Sequence, residues 1–326
     1  MIKNRDLNSY FELFEEYTEL RIQENRNLRV VILNGDIVSN SKSASSGSSA
    51  RVYKDGVWGF ASNPEIDELN IKKVISHATK NAVFLASKNT AETHGHASQL
   101  ENGDNILPVT KDSSSNDFTT KKPKKTQKEM IDFLKSVDAH LTEKYTDLAS
   151  RAVVLSSLDM EKSLITSNGS KTYSMIPRAL VVVRMTIVKN NEPTELYSLY
   201  GGLGQFEDNF SDPSLLFKGI EKQYKQLRDK SEGVHAQAGL KDCILDADLA
   251  GILAHEAIGH TTEADLVLGG SVAADYMDKK VASPLITLVD FAHHYGDMVA
   301  PVPIFTDDEG TKSEDTVIIE KGILKS

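Results

Sequence analysis

Apolar residues recur along this chain with two different periods, and the switches between those periods mark out its elements. Residues 28–37 are strand-like, and Asn34-Gly35 is a tight-turn dipeptide. Residues 50–53 and 57–61 flank Lys54-Asp55-Gly56, a second hairpin signal, and a short helix precedes this meander. Between the hairpin signals, residues 41–49 are small and polar, which suits either a flexible loop or a strand covered by a partner. The pattern then becomes helical. Pro64 suits a first helical position, so a helix is expected from near Asn63, with Ile66, Leu69, Val74, Ile75 and Ala78 along one face. Thr126 and Glu129 have the spacing of a capping box, and Met130, Phe133, Leu134, Val137 and Leu141 follow at helical spacing as core positions.

From 152 to 203 the chain is β-rich. Asn168-Gly169 and Asn190-Asn191 punctuate runs such as 179–188, as an antiparallel meander requires. Pro213 opens a further helix that runs through Leu227 and ends before Gly233. Residues 243–245, 285–291 and 316–323 read as strands, and no solenoid-type repeat is present. The pattern predicts an α+β fold of antiparallel sheets flanked by helices.

Composition narrows the function classes. With 326 residues, 40% hydrophobic and 26% charged, the chain can bury a sizeable core and suggests about two domains. Residues 87–126 are polar and contain Lys121-Lys122-Pro123-Lys124-Lys125, which predicts a surface loop or linker. The formal net charge of −10 argues against nucleic acid as a partner. Cys243 is the single cysteine, so no internal disulfide forms and a reducing compartment is expected; its strand-like context predicts a free, buried thiol. The N-terminal residues lack the apolar core of a signal peptide, and no apolar run approaches the ~20 residues of a membrane span. These features predict a cytoplasmic protein with no membrane partner.

Candidate chemistry concentrates in residues 249–267, where His255, Glu256 and His260 follow an apolar, helix-compatible start. Their expected place is a buried or half-buried helix. Zinc favours imidazole nitrogen, a catalytic zinc site keeps an open position for water, and a glutamate outside the coordination shell can take that water's proton. The spacing is unusual. Histidines four apart lie ~40° from each other around an α-helix, whereas five apart gives ~140°. For both to reach one ion the helix must bulge, widen or bend, and Gly259, just before His260, is placed to permit it. Such a trio also occurs on solvated helices without a metal. The remaining histidines are His77, His94, His96, His140 and His235, which are scattered, and the adjacent pair His293-His294. Adjacent strand residues point to opposite faces, so at most one of that pair is expected to join a site.

Residues 251–265, GILAHEAIGHTTEAD, resemble the signature of the TldD/PmbA family, specifically its TldD-type subunit. Residues 50–61, ARVYKDGVWGFA, are similar to that family's N-terminal hairpin, and Asp307-Asp308-Glu309-Gly310-Thr311 with residues 317–325 resembles the stretch after its metal helix. The resemblance implies an N-terminal α+β domain over 1–235 and, over 236–326, the start of a β-rich C-terminal domain entered by the metal-site helix. It implies a zinc-dependent peptidase acting on unfolded or extended peptides, with His255 and His260 as Zn2+ ligands and Glu256 activating a zinc-bound water. Glu263 and Asp265 also match, in helix-capping or ligand-supporting roles. The expected partners are a peptide substrate and either a second copy of the chain or a second family member that lacks the histidines. In the family a later cysteine completes the ligand set, so the chain ending at Ser326 reads as truncated and inactive alone. The alternative is a non-catalytic peptide-binding or partner subunit of such a dimer, with structural histidines. A role as a modulator of DNA gyrase, suggested by an older family name, has no support in the charge balance.

Overall fold

The computed structural model describes Ile2, residues 5–88 and residues 112–325. They form two compact units. The first holds the described residues up to Val234 together with Thr306–Lys312; the second holds His235–Phe305 and residues 313–325.

In the first unit, strands β1 (Tyr17–Leu33), β2 (Asp36–Lys54) and β3 (Val57–Asn63) form the predicted meander. Its turns are Asn34-Gly35 and Asp55-Gly56, all four residues at positive φ as two-residue hairpins demand. The serine-rich stretch 41–49 is not a loop. It is the middle of β2, paired with β1 from Asp36 to Tyr53. After β3 come helix α1 (Glu68–Lys88), strand β4 (Ser113–Asp117) and helix α2 (Gln127–Lys144). Strands β5 (Ser150–Thr166), β6 (Lys171–Lys189) and β7 (Glu192–Leu203) follow, then helices α3 (Phe206–Asn209) and α4 (Phe217–Ser231). The sheet order is β3-β2-β1-β5-β6-β4, and β7 also pairs with β6.

Several boundaries differ from expectation. α1 starts four residues beyond Pro64, because β3 runs to Asn63 and Asp67 accepts the Asn70 backbone N–H at 3.0 Å as the cap. Leu69, expected in the core, is therefore exposed, and Ile71, Val74, Ile75, Ala78 and Ala82 form the buried stripe. The polar region 87–126 lies largely outside the described residues, but residues 113–117 form β4, parallel to β6. The capping box of α2 forms as read, and Phe133, Leu134, Val137 and Leu141 are buried.

Strand alternation places the helices on one sheet face. Leu20, Ile22, Ala50 and Val52 pack with α1 in one core. Val30, Ile32, Val153, Leu155, Val181 and Val183 pack with α2 and α4 in a second. The opposite face carries Glu19, Arg21, Ser49 and Arg51, and there the segment Thr306–Lys312 is tied down. Arg21 and Lys162 both bond Asp308 at 2.5 Å, Arg51 bonds Glu309 at 2.9 Å, and the Ser170 hydroxyl donates to the Gly310 carbonyl at 3.1 Å.

The second unit holds helices α5 (Ala247–Ala254) and α6 (Ala264–Leu268) and short strands β8 (Leu288–Asp290), β9 (His294–Tyr295), β10 (Met298–Val299), β11 (Thr316–Glu320) and β12 (Ile323–Leu324). They make a three-stranded sheet, β12-β11-β8, and a β9–β10 hairpin. The fully buried core is small: Ala273, Ile319 and Leu324. Residues 243–245 form no strand, and Cys243 is exposed rather than buried: this linking stretch has no sheet partner to cover it. Among the described residues no helix is long and apolar enough to cross a membrane.

Candidate metal centre

Asp246 caps α5 by accepting the Leu249 backbone N–H at 2.9 Å. The helix then widens. Residues His255–Gly259 form a π-turn, closed by the His260 backbone N–H donating to the His255 carbonyl, five residues back. Wider winding is the distortion that five-residue spacing requires, and it brings the two imidazoles together, with ring centroids 4.4 Å apart. One ligand-capable atom each from His255, Glu256 and His260 lies within 4.8 Å of the others. Gly259 contributes less than expected: its φ of −49° and ψ of −59° are ordinary right-handed helix, and the π hydrogen bond does the widening.

A π-turn disturbs the hydrogen-bond ladder, and neighbouring side chains repair it. The Thr261 and Thr262 hydroxyls both donate to the Ile258 carbonyl, at 2.8 and 3.1 Å, and Ser271 donates to the Thr261 carbonyl at 2.7 Å. The Ile258 side chain packs on the small core of the second unit. These positioning residues were not singled out from sequence; the adjacent threonines after a helix were the available signal.

His260 is held from its far side. Its Nδ1 lies 2.7 Å from Glu263 Oε1, which leaves Nε2 for a ligand. Glu263 makes no side-chain capping bond to α6, and its carboxylate is instead paired with the His260 ring. Asp265 accepts the backbone N–H of its own neighbour, Leu266. The site is not buried. His255, Glu256 and His260 are exposed, as are Leu249, Ile252 and Leu253 on the preceding helix. The expectation of a buried helix fails because α5 buries no residue.

A cavity of about 710 Å³ adjoins His255 and Glu263, walled by Leu288, Val289 and Ile318 among others. β8 has a neighbour on one side only, β11, so its other edge is unpaired among the described residues.

Among the described residues, no other histidine joins the group. His140 stacks on Phe217 with centroids 3.6 Å apart, and His94 and His96 lie outside the described residues. His293 and His294 do turn toward each other, Nδ1 to Nδ1 at 2.8 Å, against the strand argument, because β9 begins only at His294.

Residues 239–326 match the family model described as PmbA/TldA metallopeptidase C-terminal domain, and residues 18–82 match PmbA/TldA metallopeptidase domain 1. The chain belongs to the TldD/PmbA family. Similar curated relatives include a metalloprotease of Methanocaldococcus jannaschii, 28% identical over 95% of this chain and 65% of its own length. A zinc metalloprotease TldD homologue of Saccharolobus solfataricus is 28% identical over 86% of this chain and 57% of its own length. The chain thus spans less than two thirds of these relatives. Among solved structures, a Bacteroides thetaiotaomicron protein named as a candidate modulator of DNA gyrase superposes with a TM-score of 0.73 at 17% identity, covering 100% of this chain and 72% of that one. TldE from Thermococcus kodakarensis superposes with a TM-score of 0.67 at 18% identity, covering 98% and 68%. These two likenesses carry the fold alone, an α+β architecture.

Two imidazoles that converge on a single point, with a carboxylate beside them, are donors of the kind Zn2+ accepts. The residues fit the ion that the TldD/PmbA metallopeptidase assignment implies.

Proposed function

We propose that this chain is a zinc-dependent peptidase subunit hydrolysing unfolded or extended peptides, with His255 and His260 as metal ligands and Glu256 as the proton-transfer group. The observation that carries the reading is the π-turn, which gives up regular helix geometry and brings together two imidazoles that an α-helix would hold ~140° apart, with the Glu256 carboxylate beside them. Zinc held there supplies Lewis-acid polarisation of the scissile carbonyl and a lowered pKa for water. Glu256, beside the two imidazoles, takes the proton of the attacking water and returns it to the leaving amine. Glu263 holds the His260 ring through Nδ1. A third protein ligand comes from outside this trio, so that Glu256 stays free as the base. The edge of β8 that is unpaired among the described residues, with the adjoining cavity, suits an extended peptide held by backbone pairing. The working unit is a dimer, with a second copy or a second TldD/PmbA member, and the lone cysteine fits a cytoplasmic setting.

The test is zinc content and cleavage of an unstructured reporter peptide by the intact protein and its variants. Glu256→Gln is expected to keep zinc and lose about 10²–10⁴-fold in rate. Equal cleavage by this variant removes Glu256 from the mechanism. Joint His255→Ala and His260→Ala replacement is expected to abolish zinc. A wild type without zinc would favour the non-catalytic partner subunit instead.

A further inference from the structure

The first unit holds a second polar cavity that the peptidase reading does not use. It measures about 200 Å³ and lies on the sheet face opposite the helices, lined by Glu19, Arg21, Ser49, Arg51, Phe60, Leu164 and Asp308. Register explains the grouping: Glu19 pairs with Arg51 and Arg21 with Ser49 across β1–β2, Arg51 pairs with Phe60 across β2–β3, and Arg21 pairs with Leu164 across β1–β5. Asp308 reaches in from the tied-down segment Thr306–Lys312.

Glu19 is the anomaly. Its residue exposure is only 3%, yet Oε2 has no hydrogen-bond partner, while Oε1 accepts from the Tyr17 hydroxyl at 3.2 Å. The nearest cation, Arg51 Nε, forms an ion pair with Oε2 at 3.5 Å but no hydrogen bond. The Arg51 guanidinium is shared with other groups, lying over the Trp58 ring at 4.2 Å and bonding Glu309 Oε1 at 2.9 Å. A buried acceptor left in this state costs its full desolvation. Burial, with Glu309 and Asp307 adding to it, pushes the Glu19 carboxyl up to about 7.

Charge points the same way. The carboxylates here are Glu19, Asp307, Asp308 and Glu309, and the cations are Arg21, Arg51 and Lys162, so ionised Glu19 leaves one negative charge in excess. Arg21 and Lys162 are already committed to Asp308. The cavity is far larger than the roughly 10–15 Å³ that one water centre occupies. Ca2+ would take six or more oxygen ligands; Oε2, in contrast, needs one donor.

We propose that this cavity binds a primary ammonium group, donating to Glu19 Oε2, with the Ser49 side chain forming part of the wall beside it. Two sources carry that chemistry, the α-amine of a peptide N-terminus and a lysine side chain. The inference is independent of the metal centre.

The test is a ¹H–¹⁵N chemical-shift titration of the full chain with glycinamide, with Nα-acetyl-lysinamide and with the uncharged N-acetylglycinamide. Saturable shifts centred on Glu19, Ser49 and Arg51 are expected with an amine and absent with the uncharged control. Preference for glycinamide identifies a peptide N-terminus, and preference for the lysine analogue identifies a side chain. Glu19→Gln is expected to weaken binding by about tenfold or more. Ser49→Leu, which fills the cavity and leaves Glu19 in place, is expected to abolish binding while keeping the wild-type spectrum elsewhere, and it stands as the test if Glu19→Gln fails to fold. No saturable shift with either amine, equal binding of the uncharged control, or undiminished binding in Ser49→Leu overturns the proposal.

Discussion

At the scale of single residues, the two most informative side chains are glutamates: Glu263, which the sequence left between two roles, and Glu19, which it did not mark at all. Glu263 stands three residues after His260, a spacing open to a cap or to a ligand support; only the tight turn His260–Thr262 places its Oε1 at 2.7 Å from Nδ1. Removing the charge frees the ring and weakens the basicity of its other nitrogen. Glu263→Gln is therefore expected to lower zinc affinity by about 10–100-fold with the fold intact, as read by competition with a chromophoric chelator. Unchanged affinity would reduce Glu263 to a surface contact. Glu19 lies in a strand whose neighbours alternate apolar and polar, so nothing in the sequence marks it as buried. Its carboxyl is raised from 4.5 to about 7, faced by Tyr17 and Arg51 on adjacent positions and by Glu309 and Asp307 from the bound segment. Between those values the folded chain holds a proton that the unfolded chain has released. Stability from this group is thus fully present below about 4.5 and is lost as pH rises through about 7. Urea denaturation across that window should show the decline in wild type and a flatter curve in Glu19→Gln.

At the scale of elements, legibility followed locality. The hairpins at Asn34-Gly35, Asp55-Gly56 and Asn190-Asn191 were readable because the dipeptides themselves carry the positive φ their turns require. The capping box of α2 was readable for the same reason, three residues of spacing. β4 was not, since its partner Lys171–Met175 lies more than fifty residues away and its own Ser-Ser-Ser-Asn-Asp has no strand pattern. The π-turn was half readable. Spacing demanded a distortion, but the device that makes it tolerable, two threonine hydroxyls on the Ile258 carbonyl, depends on backbone geometry. Close packing of elements was also hidden, and Gly59 shows it. A Cβ there would stand 2.2 Å from the Ala82 backbone nitrogen and 2.3 Å from the Ala78 carbonyl oxygen, where α1 crosses β3. Backbone cannot yield as a side chain can. Gly59→Ala is expected to destabilise the first unit by about 3 kcal/mol or more, seen as a large drop in its denaturation midpoint. A change under about 0.5 kcal/mol would mean that α1 shifts freely on the sheet.

At the scale of the whole molecule, the two units rest on very different amounts of buried apolar surface. The first has two cores built on a seven-stranded sheet, with Leu20, Ile22, Ile71 and Ile75 in one and Val30, Ile32, Leu134 and Leu155 in the other. The second has Ala273, Ile319 and Leu324, with many large apolar side chains exposed. A core this small gives little folding free energy by itself, so a bound ion becomes a large fraction of its stability. If His255 and His260 hold zinc, saturation at a hundredfold over Kd adds about 2.7 kcal/mol to the unit that contains them. Hydrogen exchange resolved by residue should then divide the chain on chelation. Amides of residues 255–276 and of β8, β11 and β12 are expected to lose protection, while those of β1, β5 and β6 stay as they were. Uniform loss across both units would make the metal a stabiliser of the entire chain, and no loss in either would leave the histidine site without an ion to hold.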